Sequence, residues 1–219
     1  RVLFRSFCLK TALVMALVSG GLTGCTMLGS GAKKDTPPVS RGQTGLVDPD
    51  YYVKAYKPNN PANVRVKVSL QNQAIYVMEG SRPLMVAACT VGTTATPTPR
   101  GNFRIYSKQK YRRKFTNPGK GYPMGYWCEF KPAYGIHAGW VHNAPRSHGC
   151  IRLHFKAAPK FFNLVREGTP VSISHTQAED ATVGANILRP RDSDWKEFPP
   201  HILGTNEVFN VYKGPLFDG

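Results

Sequence analysis

Residues 64–78, VRVKVSLQNQAIYVM, contain the pattern on which the fold depends. Residues 64–70 alternate apolar and polar side chains, which is typical of a strand with one buried face. Residues 74–78 form a second apolar run, and the polar tripeptide 71–73 separates the two. This arrangement predicts a β-hairpin.

Shorter apolar segments downstream of the hairpin predict further strands. These segments are residues 84–91, 102–107, 126–130, 135–137 and 171–173. Residues 155–165 carry apolar side chains at helical spacing and predict one amphipathic helix, although Pro159 lies within it. The polar, basic segment 108–122 predicts a long loop. The sequence therefore predicts a mostly β domain with one notable helix.

The beginning of the chain has the composition of a secretory signal peptide. Arg1, Arg5 and Lys10 precede an apolar run, and Cys25 closes this run after small residues. The cysteine resembles that of the lipobox of bacterial lipoproteins, which implies a signal peptide over residues 1–25 and a lipid anchor on Cys25. An ordinary cleaved signal and an uncleaved anchor are the alternatives. Each places the rest of the chain outside the cytoplasm, and the first implies a bacterial cell envelope protein facing the periplasm or wall.

Two further segments flank the predicted β domain, which spans residues 63–174. Residues 26–62 are rich in Gly and Pro and poor in apolar side chains, which predicts a flexible tether. Residues 175–219 are polar, with isolated aromatic side chains, and predict an irregular C-terminal extension that wraps the domain in part. This extension offers no catalytic constellation of its own, and its role stays open.

The formal charge of +16 indicates an anionic partner. Three of these charges leave with the signal peptide, so the mature chain stays strongly basic. Nucleic acid is the usual partner of such a chain, but an exported protein rarely meets it. Anionic lipid headgroups or an acidic wall polymer are therefore the predicted partners, with a merely solvated basic surface as the alternative.

Cysteine usage leaves the pairing of the thiols open. Cys8 and Cys25 belong to the signal region, so Cys89, Cys128 and Cys150 remain in the domain. Either Cys89 pairs with Cys128 and Cys150 stays free, or all three are free thiols. We favour the second arrangement, because buried cysteines also pack as small apolar side chains.

The segment 147–152, SHGCIR, places a thiol beside an imidazole and a glycine. A cysteine nucleophile needs a neighbouring base that accepts its proton. His137 lies thirteen residues before Cys150 on a strand-like segment and is the candidate base. His148 would serve only in particular turn geometries, since it is two residues from Cys150.

Two neighbours of Cys150 suit acyl transfer. Gly149 lets backbone N–H groups approach an oxyanion closely, and the Arg152 guanidinium can hold a substrate carboxylate at two points. A zinc site is the alternative use of these side chains. Its ligands would be His137, His142, His148 and Cys150. They lie in an irregular loop without paired-ligand spacing, so we predict neither a metal nor another cofactor.

Residues 135–139, GIHAG, and 147–153, SHGCIRL, resemble the signature of the L,D-transpeptidase (YkuD-type) catalytic domain. Residues 66–77, 96–103 and 168–173 are similar to other segments of the family, in the same order. The resemblance implies a YkuD-like β-sandwich with one or two short helices.

The resemblance also implies roles for individual residues. Cys150 matches the nucleophile that attacks the amide after the third residue of a peptidoglycan stem peptide, and His137 matches the general base. His148 and Gly149, supported by Ser147, match the oxyanion pocket. The base is oriented by a backbone carbonyl, which Ala138 or Gly139 would supply. Arg152 and Trp140 are the residues expected to bind substrate.

The sequence thus predicts a lipid-anchored cysteine acyltransferase that acts on peptidoglycan stem peptides. The acyl acceptor stays open between another stem peptide, an envelope protein and water, and water would make the enzyme an L,D-carboxypeptidase. A non-catalytic peptidoglycan-binding lipoprotein and a metal-dependent hydrolase are the competing hypotheses.

Overall fold

The computed structural model describes residues 46–114, 121–194 and 197–219 of the chain. The strands are β1 Val64–Ser69, β2 Ala74–Glu79, β3 Arg82–Thr90, β4 Gly101–Arg104, β5 Ser107–Gln109, β6 Trp127–Lys131, β7 Tyr134–Ala138, β8 Ile151–Leu153 and β9 Pro170–Ser174. Helix α1 spans Ala158–Leu164 and α2 spans Pro200–Leu203. The predicted signal peptide and Cys25 lie outside the described residues.

All nine strands belong to one sheet, in the order β4-β9-β1-β2-β3-β8-β7-β6-β5. Strands β1 and β2 pair antiparallel in the register Val66↔Val77, which confirms the predicted hairpin. The valines at alternate positions of β1 point into the core, and β2 is buried along nearly its whole length. The mostly β fold class is also confirmed.

The predicted strand over residues 102–107 is wrong, because two strands share this segment. Strands β4 and β5 lie at opposite ends of the sheet order, although only Ile105 and Tyr106 separate them. The Ile105 N–H donates to the Thr169 carbonyl and the Tyr106 N–H donates to the Glu129 carbonyl, so the chain changes partner strand between adjacent residues. The sheet therefore curls until its two ends meet around a buried core.

A contact across the two ends supports this closure. The ring centroids of Phe103 on β4 and Phe130 on β6 lie 5.3 Å apart, although the two strands stand seven positions apart in the sheet order and do not pair. Ile105, which follows β4, is fully buried and belongs to the same core. The arrangement brings two faces of one sheet together in the manner of a β-sandwich.

Helix α1 is shorter than the predicted span 155–165. It begins where Pro159 occupies the first turn, a position at which proline costs no helical hydrogen bond. Phe155 precedes the helix and packs against Trp140, with 5.0 Å between the ring centroids. Phe161 carries the buried face of the helix. The proline therefore starts this helix rather than interrupting it.

The predicted tether is wrong over residues 46–62, which pack against the domain. Tyr51, Val53 and Ala55 are 1%, 4% and 0% exposed and belong to the main core. Ala55 also forms a bridge with Met85 of β3. These three buried side chains are spaced by two along the chain, whereas Leu46, Tyr52 and Tyr56 of the same segment are exposed. Residues 26–45 of the predicted tether lie outside the described residues.

The C-terminal extension also packs on the domain. Four of its apolar side chains are buried, namely Phe198, Ile202, Val208 and Phe209. The Arg113 guanidinium donates to the carbonyls of Leu203 and Thr205 at 3.0 and 2.8 Å. Apart from α2, the described part of the extension forms 3-10 turns and irregular backbone, as predicted. No helix in the described residues is long and apolar enough to span a membrane.

Candidate active site

The parallel pairing of β7 with β8 places the predicted base and nucleophile on neighbouring strands. His137 lies opposite Arg152 in this ladder, and Cys150 immediately precedes β8. Both His137 and Cys150 line a single cleft of about 720 Å³. Residues thirteen apart in the chain are thereby brought to one site by hydrogen bonds of the sheet.

His137 is held in one orientation and one tautomer. Its Nδ1 lies 2.8 Å from the Ala138 carbonyl oxygen. Because a carbonyl only accepts hydrogen bonds, Nδ1 carries the proton and leaves Nε2 of the neutral ring unprotonated. The ring stacks on Trp127, with 5.7 Å between centroids, and is 5% exposed. Burial lowers the pKa of His137 to about 4, so Nε2 is ready to accept a proton at neutral pH.

The Cys150 thiol is partly exposed at the cleft and rests in its protonated form. Burial raises the pKa of Cys150, against the opposing effect of the charges on Arg152 and Arg112. The sulfur lies 3.7 Å from the Ala133 carbonyl oxygen, to which the S–H donates. With His137 also neutral, the site holds a thiol and an imidazole rather than a preformed ion pair. The thiol must lose its proton as it attacks.

Ser147 fixes the backbone around the nucleophile. Its hydroxyl donates to the Cys150 carbonyl at 2.5 Å and accepts from the Gly149 N–H at 3.0 Å. The Thr98 hydroxyl donates to the Gly149 carbonyl at 2.9 Å from the other side. The Gly149 N–H was a predicted oxyanion donor, but in this structure it already has a partner. An oxyanion would therefore be contacted by another group of the loop.

Gly149 is required by its backbone and by its surroundings. Its φ of +107° is unfavourable for any residue with a side chain. A Cβ at this position would lie 2.5 Å from a ring carbon of Tyr134. The glycine before the nucleophile thus permits both the turn and the close approach of the Tyr134 ring.

The remaining predicted site residues lie at the same cleft, with differing access. His148 and Arg152 line it. Trp140 also lines it but is only 9% exposed, because its ring packs on Phe155 and Phe198. Trp140 therefore forms a wall of the cleft more than a free contact surface.

Seven cleft residues were not named in the sequence analysis. They are Arg112, Lys114, Tyr122, Met124, Trp127, Ala133 and Glu197. Arg112 and Lys114 belong to the segment 108–122, which the sequence predicted as a long basic loop. Glu197 comes from the C-terminal extension, and no feature of its local sequence indicates a site. Arg112, Lys114 and Arg152 give the cleft a net positive charge that suits anionic substrates.

The zinc alternative finds no support in the arrangement of ligands. Within the three described ranges, no group of three or more His, Cys, Asp or Glu side chains is close enough to hold a metal ion.

The Cys89 and Cys128 thiols are both buried and unpaired.

Comparison with known proteins assigns this site to a family. The L,D-transpeptidase catalytic domain (YkuD) matches residues 63–173, half of the chain. The chain belongs to the L,D-transpeptidase family. The matched region contains His137, Cys150 and Arg152, and it ends before the C-terminal extension.

Two curated relatives of this L,D-transpeptidase carry the YkuD description. The Bacillus licheniformis protein is 34% identical over 125 residues, which cover 52% of this chain and 69% of the relative. The Bacillus subtilis protein is 31% identical over 146 residues, which cover 62% of this chain and 77% of the relative.

Solved L,D-transpeptidases are also similar to this chain. The structure from Stackebrandtia nassauensis aligns with a TM-score of 0.47 and 21% identity, covering 57% of this chain and 60% of that one. The structure from Mycobacterium smegmatis aligns with a TM-score of 0.45 and 20% identity, covering 51% and 58%. This chain thus spans less than two thirds of the length of either solved chain.

Proposed function

We propose that this L,D-transpeptidase domain is a cysteine acyltransferase in which Cys150 attacks and His137 is the general base. Members of the family act on peptidoglycan stem peptides. The observation that carries the proposal is the tautomer of His137. The Ala138 carbonyl holds the proton on Nδ1 and leaves Nε2 free, and the Cys150 thiol lines the same cleft.

The first half of the proposed reaction forms a thioester. Nε2 of His137 takes the thiol proton while Sγ of Cys150 attacks the carbonyl of the amide after the third stem residue. The C–N bond then breaks, and the leaving amine of the terminal D-alanine takes the proton from His137. Backbone N–H groups near Cys150 stabilise the oxyanion that forms in between.

The second half transfers the acyl group to an acceptor. An amine gives a cross-link or an attachment to an envelope protein, and water gives a carboxypeptidase product. In each case Nε2 of His137 takes a proton from the acceptor as it attacks the thioester carbonyl, the C–S bond breaks, and the proton passes to the sulfur. The same site therefore serves every acceptor that reaches it.

The charge of the cleft supports an anionic acyl donor. Arg112 and Arg152 both lie close enough to the Cys150 thiol for their charges to favour its deprotonated form. Lys114 lines the same cleft. A stem peptide carries free carboxylates, which these three cations attract. Arg152 has no carboxylate partner within 4 Å among the described residues, so it is available to a substrate.

We further propose that the protein is a lipoprotein of the bacterial cell envelope, anchored through Cys25. The support is the sequence alone: a basic start, an apolar run and a cysteine after small residues. Mass spectrometry of the protein from membranes of a bacterial host would show a lipid-modified Cys25 at the mature N-terminus. An unmodified N-terminus elsewhere would contradict this part of the proposal.

The catalytic proposal is tested by replacing the nucleophile. Cys150→Ala should abolish turnover of purified muropeptides. A carbapenem should acylate the unaltered protein and shift the mass of one peptide, the one that contains Cys150. Turnover retained in Cys150→Ala would overturn the mechanism. Salt-sensitive binding to cell walls that is indifferent to Cys150 would instead support a non-catalytic binding protein.

A further inference from the structure

Glu197 lies outside the matched family region, yet its carboxylate belongs to the catalytic cleft. Three donors hold it in place. Oε1 accepts from Trp140 Nε1 at 3.3 Å and from the Phe198 N–H at 3.0 Å, and Oε2 accepts from the Tyr122 hydroxyl at 3.1 Å. Tyr122 and Trp140 line the same cleft. The side chain is therefore a fixed carboxylate rather than a freely moving one.

This carboxylate retains capacity to bind a cation. A carboxylate has about four acceptor positions, and the three hydrogen bonds leave one of them on Oε2. Glu197 is solvent-exposed, and no Lys, Arg or His among the described residues lies within 4 Å of it. The negative charge at this wall is thus held in position without an ionic partner in the part of the chain that the structure describes.

Glu197 also differs in sign from its surroundings. It is the one acidic side chain among the described residues that line the cleft, whereas Arg112, Lys114 and Arg152 are cationic. Arg152 acts electrostatically on both the Cys150 thiol and the Tyr122 hydroxyl that Glu197 holds. The cleft therefore combines cations that act on the nucleophile with a single carboxylate at the wall built by the C-terminal extension.

We propose that Glu197 selects the acyl acceptor by binding the ammonium group of a cationic primary amine. This inference rests on the proposed acyl-enzyme function and specifies its second step. Arg112 and Arg152 receive the anionic acyl donor, and the carboxylate of Glu197 gathers amines at its own wall of the cleft. The domain then transfers its acyl group to amines in preference to water.

The proposed step balances in protons and bonds. The bound ammonium loses one proton to solvent and becomes nucleophilic. Its nitrogen attacks the thioester carbonyl, a C–N bond forms and the C–S bond breaks. The second proton lost by nitrogen passes to Nε2 of His137 and then to the departing sulfur of Cys150. The products are an amide and the free thiol.

The test measures how the acyl-enzyme divides between an amine and water. Glu197→Gln removes the charge and keeps a carbonyl oxygen for Trp140 and Phe198. The acyl donor is a purified tetrapeptide muropeptide, and the acceptors are Nα-acetyl-lysine amide, a cationic amine, and hydroxylamine, which is uncharged at neutral pH. Glu207→Gln is the matched control, because Glu207 is exposed on the same extension but does not line the cleft.

We expect Glu197→Gln to lower the ratio of lysine amide product to hydrolysis product by up to about fivefold, the range of an exposed ion pair. The ratio with hydroxylamine, the rate of carbapenem acylation and the Glu207→Gln variant should stay unchanged. An unchanged lysine amide ratio would overturn the proposal. An equal loss with both acceptors, or slower acylation, would also overturn it and show a purely structural wall.

The failure of this inference is distinguishable from failure of the proposed function. If the unaltered protein forms no acyl-enzyme at Cys150, the proposed function is wrong. If it forms one and Glu197→Gln leaves the division between acceptors unchanged, only the role of Glu197 is wrong.

Discussion

The Ala138 carbonyl oxygen accepts a hydrogen bond from Nδ1 of the adjacent residue, His137, at 2.8 Å. A neutral backbone group thus orients the base, in the position that a carboxylate occupies in a Ser-His-Asp triad. A carboxylate would stabilise the imidazolium strongly, whereas the carbonyl only partly offsets the effect of burial. The base therefore stays unprotonated well into the acidic range.

This arrangement predicts an unusual acid limb in the pH profile. Because burial lowers the pKa of His137 to about 4, Cys150 acylation by a carbapenem should fall only as the pH approaches that value. The rate of single-turnover acylation would be measured against pH in a rapid-mixing instrument, so that each reaction is complete before the protein unfolds in acid. A midpoint close to about 6.5, the ordinary value of histidine, would contradict the prediction.

Substitution of Gly149 by alanine should slow acylation, whereas the same substitution at Gly80, which also has a positive φ, should not. Gly149→Ala places a Cβ 2.5 Å from the Tyr134 ring at a φ of +107°. Gly80 has a φ of +61° and open space around its Cβ position. We expect Gly149→Ala to slow carbapenem acylation by at least about tenfold, because the nucleophile loop must shift.

Gly80→Ala is the control for the strain of a positive φ alone. It should cost about 1 kcal/mol of stability and leave acylation unchanged. Melting temperatures of both variants would be measured beside the acylation rates. Equal acylation rates in the two variants would show that the Tyr134 contact is unimportant.

A buried pair joins the C-terminal extension to the end of β8. His154 Nε2 and Asp192 Oδ1 lie 3.4 Å apart, and both side chains are 0% exposed. The Lys156 N–H donates to Nδ1 of His154, which keeps that ring neutral, and burial lowers the His154 pKa to about 3. Asp192 accepts from the Val141 N–H at 2.6 Å, next to the cleft wall.

Asp192→Asn should therefore gain stability relative to the unaltered protein as the pH rises. Burial raises the pKa of Asp192 from 3.8 to about 7. Because the pKa of Asp192 is higher in the folded than in the unfolded protein, this carboxyl contributes stability at low pH, and the contribution is lost as the pH rises from 3.8 to about 7. The introduced amide does not ionise, so the difference in unfolding free energy should grow by up to about 1.4 kcal/mol per pH unit.

Urea unfolding of both proteins across this window measures that difference. The contribution of His154 is present in both proteins and largely cancels. A difference independent of pH would show that Asp192 is ionised in the folded state at every pH tested.

Phe198→Ala should destabilise the domain and open the cleft wall. The Phe198 ring is 4% exposed and lies 5.1 Å from the ring of Trp140 and 4.9 Å from that of Phe155. Its truncation leaves a cavity that typically costs about 3–5 kcal/mol. Leu216→Ala, at a position 36% exposed in the same extension, should cost less than about 1 kcal/mol. If Phe198→Ala lowers the free energy of unfolding no more than Leu216→Ala does, the Phe198 ring is not tightly packed against the domain.

The core of this fold was predictable because its strands are specified by local sequence. The alternation in residues 64–70 and the apolar run 74–78 specify a hairpin without help from the rest of the chain. The break between β4 and β5 was not predictable, because Ile105 and Tyr106 change strand partners through long-range hydrogen bonds. Residues 46–62 were misassigned because burial depended on a surface that only the folded domain supplies.

The site divides in the same way. His137, Cys150 and Arg152 were found from two short segments, since the ladder between β7 and β8 joins them. The order of the segments made the family recognisable as well. Glu197 was not found, because it reaches the cleft through packing of an extension that carries no motif. Tertiary contacts, rather than local pattern, decide which residues of that extension face the substrate.

The burial of Cys89 and Cys128 has a practical consequence for anyone who handles this enzyme. Both thiols are 0% exposed, and burial raises the pKa of each to about 12, so neither forms a thiolate at neutral pH. Among the described residues, only Cys150 offers an accessible sulfur. A domain that begins after the signal region should therefore take up about one alkylating label per folded molecule, and uptake above one should report molecules whose core has opened.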